Sequence, residues 1–195
     1  MDSVESKRAR RVAVYGGSFN PPHVSHVLAV VYTLSTQPID EVLVVPCAVH
    51  PFAKELAGFE ERFAMCQAAM GWIPNVTISR IEHELGGESR TLRTLEHLRE
   101  AHPDWQLRLV VGADILGDTR KWFAFERVCE LAPLLVLGRE GVDESRAPKP
   151  VLPEVSSTQI RAALASRDRA SIASLVPAAV LDYIEAHGLY GASSR

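Results

Sequence analysis

The sequence predicts an α/β fold, a parallel sheet with helices on both faces. Two observations predict it. Short β-branched runs alternate with amphipathic segments along the whole chain. That alternation is the pattern of parallel strands joined by crossover helices. The second observation is size, since 195 residues of which 47% are apolar can bury one sizeable core.

The elements follow in order. The first eleven residues, MDSVESKRARR, are charged and precede a short strand, so they predict a flexible tail over residues 1–11 and not a signal peptide. Strands are expected at VAVYG, EVLVVP, NVTISRIE, QLRLVVG, LLVLG and PVLPEV. Helices are expected from Pro22 to about Thr36, Phe59 to Met70, Thr91 to Ala101, Phe123 to Glu130 and Ser157 to Ser166. A last helix starts at Pro177 and stops at Gly188, proline inside the start and glycine past the end. The charged, proline-bearing stretch GREGVDESRAPKP reads as a loop. Residues 12–190 are thus expected to form a single domain, with 191–195 as a C-terminal tail.

Composition removes several function classes. The net charge of −3, with both signs interspersed, gives no field for nucleic acid or anionic lipid. Apolar runs such as LAPLLVLG are too short to span a bilayer. Cys47, Cys66 and Cys129 are odd in number and form no C-x-x-C, which predicts reduced, buried thiols in a cytoplasmic protein.

The turn after the first strand carries the chemistry. Ligands of open parallel sheets bind beyond the carboxyl ends of the strands, and that turn reads GGSFNPPHVSH. Gly16 and Gly17 would allow positive φ and close backbone approach. Pro21 and Pro22 would set a helix entry whose unpaired N–H groups form an anion site, with His23 and His26 on one face of its first turns. No Walker-type phosphate loop and no G-x-G-x-x-G occurs. A protein-held metal is not expected, because zinc needs three or four ligands and the motif has no acidic residue.

A second cluster, EVSSTQIRAAL, places Ser156, Ser157 and Thr158 before a helix with Arg161 on its first turn. One hydroxyl is explained as a helix cap. Three hydroxyls with an arginine suggest a second anion site, and two such sites suggest a nucleoside triphosphate.

GGSFNPPHVSH with VSSTQIR resembles the paired signatures of the nucleotidyltransferase superfamily whose first motif is histidine, any residue, glycine, histidine. More narrowly, the chain resembles bacterial nicotinate-nucleotide adenylyltransferases from Val12 to about Tyr190. VVGADILGDTRKW, ESRTLRTLEHL, FAKELAGFEERFAMC and LVPAAVLDYIEAHGLY each match a segment of that family. The resemblance implies a Rossmann-like nucleotidylyl transferase fold with a small helical C-terminal part. It implies transfer of AMP from ATP to nicotinate mononucleotide in NAD biosynthesis, with Mg²⁺ bound through ATP phosphates.

The site residues follow from the same resemblance. His23, His26, Lys54 and Arg161 would be catalytic. Gly16, Gly17, Ser18, Phe19, Ser156, Ser157 and Thr158 would join His23, His26 and Arg161 around ATP. Asn20, Lys54, Thr91, Gly112, Asp114 and Trp122 would hold the mononucleotide, Trp122 by stacking on the pyridine ring. Expected partners are ATP and nicotinate mononucleotide, without nucleic acid or membrane, and a homo-oligomer is compatible. The alternatives are adenylyl transfer to nicotinamide mononucleotide or pantetheine phosphate, and a non-catalytic nucleotide-binding regulatory module.

The chemistry agrees with a site that lacks a general base. A phosphate monoester has a second pKa near 6, so the acceptor is already a dianion at pH 7. Positioning can supply about 7–11 kcal/mol of an enzymatic barrier reduction. A helix N-terminus supplies only about 0.3–2 kcal/mol, so it is not the main device. The sequence departs from the family at Ser25, where the motif has glycine, at Asn20 for a frequent aspartate, and at Arg90 for the usual tyrosine. PFAK also lacks the proline and histidine pair that often precedes the lysine.

Overall fold

The computed structural model describes residues 8–49, 56–117, 122–140 and 148–192. The strands are β1 (Arg10–Gly17), β2 (Glu41–Pro46), β3 (Val76–Ile78), β4 (Trp105–Gly112), β5 (Leu134–Arg139) and β6 (Pro150–Leu152). They form one six-stranded sheet in the order β3-β2-β1-β4-β5-β6, with every pair parallel. The helices are α1 (Val24–Thr36), α2 (Phe59–Met70), α3 (Ile81–Leu85), α4 (Thr91–Ala101), α5 (Phe125–Leu131), α6 (Ser157–Ala165), α7 (Arg169–Ile172) and α8 (Ala178–Ala186). The expected parallel Rossmann-like architecture, with helices closing the C-terminal part, is what the chain adopts.

Strand alternation sorts the core into two layers. Ala13, Val42, Val44 and Val110 face one way, against Val30 of α1, Met65 and Ala69 of α2, Ile160 of α6 and Ile184 of α8. Val12, Val14, Leu43, Leu109 and Val111 face the other way, against Ile81 of α3, Leu95 and Leu98 of α4 and Val128 of α5. Both faces of the central strands are apolar because both are covered.

Several boundaries differ from expectation. β1 begins at Arg10, not Val12, because Arg11 is anchored: its amide donates to Asp40 Oδ2 at 2.8 Å and its guanidinium to Oδ1 at 2.6 Å. β3 stops at Ile78, where NVTISRIE was expected to run on as strand. Ser79 makes the last ladder bond to Val44 O at 2.8 Å, and its hydroxyl then accepts from the Ile81 amide, turning the chain into α3. α1 begins at Val24, two residues past Pro22, and α5 at Phe125. The short α7 was not expected; Asp168 caps it by accepting from the Ser171 amide.

GREGVDESRAPKP lies largely outside the described residues. Cys47 and Cys66 are free and buried, as expected, while Cys129 is free but half-buried. Among the described residues no helix is long and apolar enough to cross a membrane.

Candidate active site

The strand order places β1 between β2 and β4, where successive crossovers leave in opposite directions. A crevice opens beyond the carboxyl ends of the strands at such a point. Here it is a cavity of about 750 Å³ lined by Gly16 to Ser18, Val45 of β2 and Cys47 just after it, Val111 and Gly112 of β4, and Leu137 and Arg139 of β5. That is the size range of small-molecule and nucleotide pockets. Of the residues expected at the site, Gly16, Gly17, Ser18, His23, His26, Thr91, Gly112, Asp114 and Trp122 line it.

The glycines act differently from expectation. Neither Gly16 nor Gly17 has a positive φ; the left-handed residue of the turn is Phe19, at φ 46°. Gly17 is needed for space, since a Cβ there would come within 3.0 Å of the Phe19 ring. Phe19 is buried and packs edge-on against His26 with ring centroids 4.9 Å apart, outside the cavity lining. Asn20 is also buried and away from the cavity; its Oδ1 accepts from the Ala57 amide at 3.1 Å and from Tyr190 Oη at 2.7 Å. Both residues brace the turn from behind.

His23 is the N-cap of α1 and is 5% exposed. Its amide donates to His26 Nδ1 at 3.1 Å, and the two rings lie 3.7 Å apart. Burial, and then the charge of Arg139, lowers the His23 pKa to about 4. Burial, then His23 and Arg139, holds His26 well below the ordinary imidazole range. Both rings are therefore neutral at pH 7. Because Nδ1 of His26 accepts a bond, its proton sits on Nε2, which makes the ring a neutral donor.

The backbone of α1 supplies less than expected. The His23 amide is taken by His26, the Val24 amide by Leu175 O at 2.9 Å and the His26 amide by His23 O at 2.9 Å. The imidazoles, rather than a row of unpaired amides, are what the helix start offers.

The second cluster is drawn against the back of the same turn. Ser156 caps α6 by accepting from the Thr158 amide at 3.2 Å. Ser157 Oγ donates to Pro21 O at 2.9 Å, and Arg161 donates through Nη1 to Asn20 O at 2.7 Å and through Nη2 to Thr158 Oγ1 at 3.3 Å. Ser156, Ser157, Thr158 and Arg161 do not line the cavity; they fasten α6 to the residues that carry the histidines.

Elsewhere in the cavity wall, Thr91 opens α4, and Asp114 and the half-buried Trp122 follow β4. Gly112 leaves room for the Asp114 carboxylate, with which an added Cβ would overlap. Lys54 lies outside the described residues. Among these residues no group of three metal-ligating side chains occurs.

Arg139 is a cavity residue that sequence reasoning missed. It ends β5, donates through Nη2 to Val155 O and lies 3.9 Å from Asp114 Oδ2 through Nη1. Its signal was present, since it is the last residue of a strand at the ligand-binding edge of a parallel sheet. Arg62, in the FAKELAGFEERFAMC segment, does not line the cavity; it is 1% exposed and donates to Ala57 O at 2.9 Å, Ser18 O at 3.0 Å and Ala48 O at 3.4 Å. It locks α2 to the turn.

The switch-point cavity holds paired neutral imidazoles and a fixed arginine where open parallel sheets take their ligands, and a family model described as cytidylyltransferase-like matches residues 14–163. Relatives narrow this further. A protein of Anaeromyxobacter dehalogenans named "Probable nicotinate-nucleotide adenylyltransferase" is 47% identical over 184 residues, covering 93% of this chain and 97% of that one. A protein of Myxococcus xanthus with the same name is 45% identical, covering 94% and 96%. The chain belongs to the nicotinate-nucleotide adenylyltransferase family of cytidylyltransferase-like proteins. The fold is shared with a Plasmodium falciparum nicotinic acid mononucleotide adenylyltransferase solved with NaAD, at a TM-score of 0.80 and 22% identity, covering 95% of this chain and 100% of that one.

Proposed function

We propose that the protein transfers AMP from ATP to nicotinate mononucleotide, forming nicotinate adenine dinucleotide and releasing pyrophosphate. The observation that carries the reading is the pair His23 and His26, neutral, in one cavity with Arg139 and Trp122. The relatives at 45–47% identity carry that activity in their names.

The acceptor phosphate attacks the α-phosphorus in line, and its dianionic form needs no proton removed. Neutral imidazoles suit this task, because they donate to phosphate oxygens without acting as bases. His26 Nε2–H and the His23 ring donate to the triphosphate, and the Arg139 guanidinium stabilises the charge that builds on the leaving pyrophosphate. Gly16, Gly17 and Ser18 let the nucleotide lie close to the strand end. Trp122 stacks on the pyridine ring, with Thr91, Gly112 and Asp114 around it.

Ser156, Ser157, Thr158 and Arg161 act in this reading chiefly by holding the turn, and Lys54 would add a cation to the phosphates. Mg²⁺ fits a site of this composition as an ion carried by the phosphates, since it keeps several waters and needs few protein ligands, with Asp114 the carboxylate nearest Arg139. When bound, it would neutralise phosphate charge.

The test is pyrophosphate release from ATP and Mg²⁺ with nicotinate mononucleotide, nicotinamide mononucleotide or phosphopantetheine supplied separately. Release is expected with nicotinate mononucleotide first. Release with phosphopantetheine alone, or with none of them, would overturn the proposal.

A further inference from the structure

Among the described residues that line the cavity, the arginines are Arg139 and Arg90, each beside a carboxylate that also lines it: Arg139 Nη1 lies 3.9 Å from Asp114 Oδ2 and Arg90 Nη2 lies 2.9 Å from Glu88 Oε2. Arg90 is the N-cap of α4, with its guanidinium 4.7 Å from the ring centroid of Phe123. Phe123 directly follows Trp122, and all three residues line the cavity.

Arg90 has capacity to spare. Its Nη2 donates to Glu88 Oε2 at 2.9 Å and its Nε to the same oxygen at 3.3 Å. Among the described residues Nη1 makes no such bond. The Arg90 and Glu88 side chains are 43% and 44% exposed, and an exposed pair of this kind contributes little, so a substrate anion can replace it. Phe123, itself 62% exposed, holds the guanidinium plane by a cation–π contact while leaving its edge available.

The two pyridine mononucleotides differ in one group. Both carry a phosphate, but the nicotinate form also carries a ring carboxylate, and the nicotinamide form carries a neutral amide there. A cavity lined by two separate arginines, one of them held on the aromatic residue next to Trp122, matches a substrate with two anionic groups. We propose that Arg90 is a specificity-determining residue, whose guanidinium, held on Phe123, takes the ring carboxylate of the acceptor. This rests on the adenylyl-transfer reading and deepens it. A forked guanidinium on a carboxylate is among the stronger and more directional hydrogen-bonding arrangements. It has no equivalent partner in a carboxamide.

The experiment compares kcat/KM for nicotinate and nicotinamide mononucleotides in the wild type, Arg90→Ala, Arg90→Lys and Glu88→Gln. In Arg90→Ala the ratio of the two values falls about tenfold toward nicotinamide, through KM for the nicotinate form, as expected for one charge-assisted contact. Arg90→Lys keeps the charge without the fork and falls in between. Glu88→Gln removes the competing carboxylate and moves the ratio the opposite way, which misfolding cannot do. An unchanged ratio in Arg90→Ala, equal losses with both acceptors, or a Glu88→Gln shift toward nicotinamide would each overturn the role of Arg90. If the wild type turns over neither mononucleotide, the adenylyl-transfer reading itself fails.

Discussion

The Ser25 hydroxyl, lying between the two histidines, donates to the Pro153 carbonyl at 2.9 Å. Ser25 is buried at 5% exposure and lines the cavity, and Pro153 follows β6 on the way to the α6 cap at Ser156. The serine that stands in place of the family glycine therefore ties α1 to the arm that carries α6. Together with Ser157 to Pro21 and Arg161 to Asn20, it makes three hydrogen bonds across that junction.

Ser25→Ala leaves the half-buried Pro153 carbonyl without its donor, a loss of about 0.5–1.5 kcal/mol. We expect a lower urea midpoint and a KM for ATP raised several-fold, with a smaller change in KM for the mononucleotide. Initial rates with each substrate varied in turn will check this. Unchanged stability would mean that the latch contributes nothing.

The histidines are predicted to act as neutral donors. His23→Ala and His26→Ala should each lower kcat by about 10²–10³, the usual loss for a donor to developing charge. His26→Gln, which can still present an N–H, should retain more activity than His26→Ala. Equal activity in the two His26 variants would contradict donation from Nε2.

Stability should fall with pH in a defined window. The folded-state pKa of His23 is about 4, below its unfolded value near 6.5, so between these values the unfolded chain binds a proton that the folded chain refuses. Stability is thus fully present above the unfolded value and is lost as pH falls toward 4. His23 alone should remove about 2 kcal/mol between pH 7 and pH 5, and His26 acts with the same sign. Urea midpoints at the two pH values should differ less in a His23→Gln, His26→Gln double variant; an equal difference would place the effect elsewhere.

Two glycines should respond differently to alanine. At Gly112 the added Cβ meets only the mobile Asp114 carboxylate, so the fold should survive while KM for the mononucleotide rises. At Gly138 it meets backbone, the carbonyls of Pro148 and Lys149 that lead into β6, whose Pro150 pairs with Gly138. Gly138→Ala should cost about 1–3 kcal/mol, the range for forced overpacking. Thermal melts of both variants, read beside their kinetics, separate the two effects.

Much of this was legible in the sequence because it depends on neighbours along the chain. Alternating strand and helix patterns, the Pro177 start and Gly188 stop of α8, and the strand–turn–helix setting of His23 and His26 follow from local periodicity and turn chemistry. Residues such as Thr91, Gly112, Asp114 and Trp122 were reachable through the family resemblance, and the cavity gathers them. NVTISRIE misled because its β-branched pattern continues past Ile78, whereas Ser79 turns the chain and Ile81 is buried under α4.

What the sequence determined by itself was the class of fold and the candidate phosphate-binding turn, since both are encoded in residues within a few positions of one another. Only the tertiary structure decided that α6 braces the histidine turn from behind, that Arg139 shares the pocket with His23, and that Arg90 reaches Phe123. These are contacts between residues distant in sequence. They exist because strand pairing and core burial bring separate loops to one edge of the sheet, and no local pattern specifies which side chains meet there.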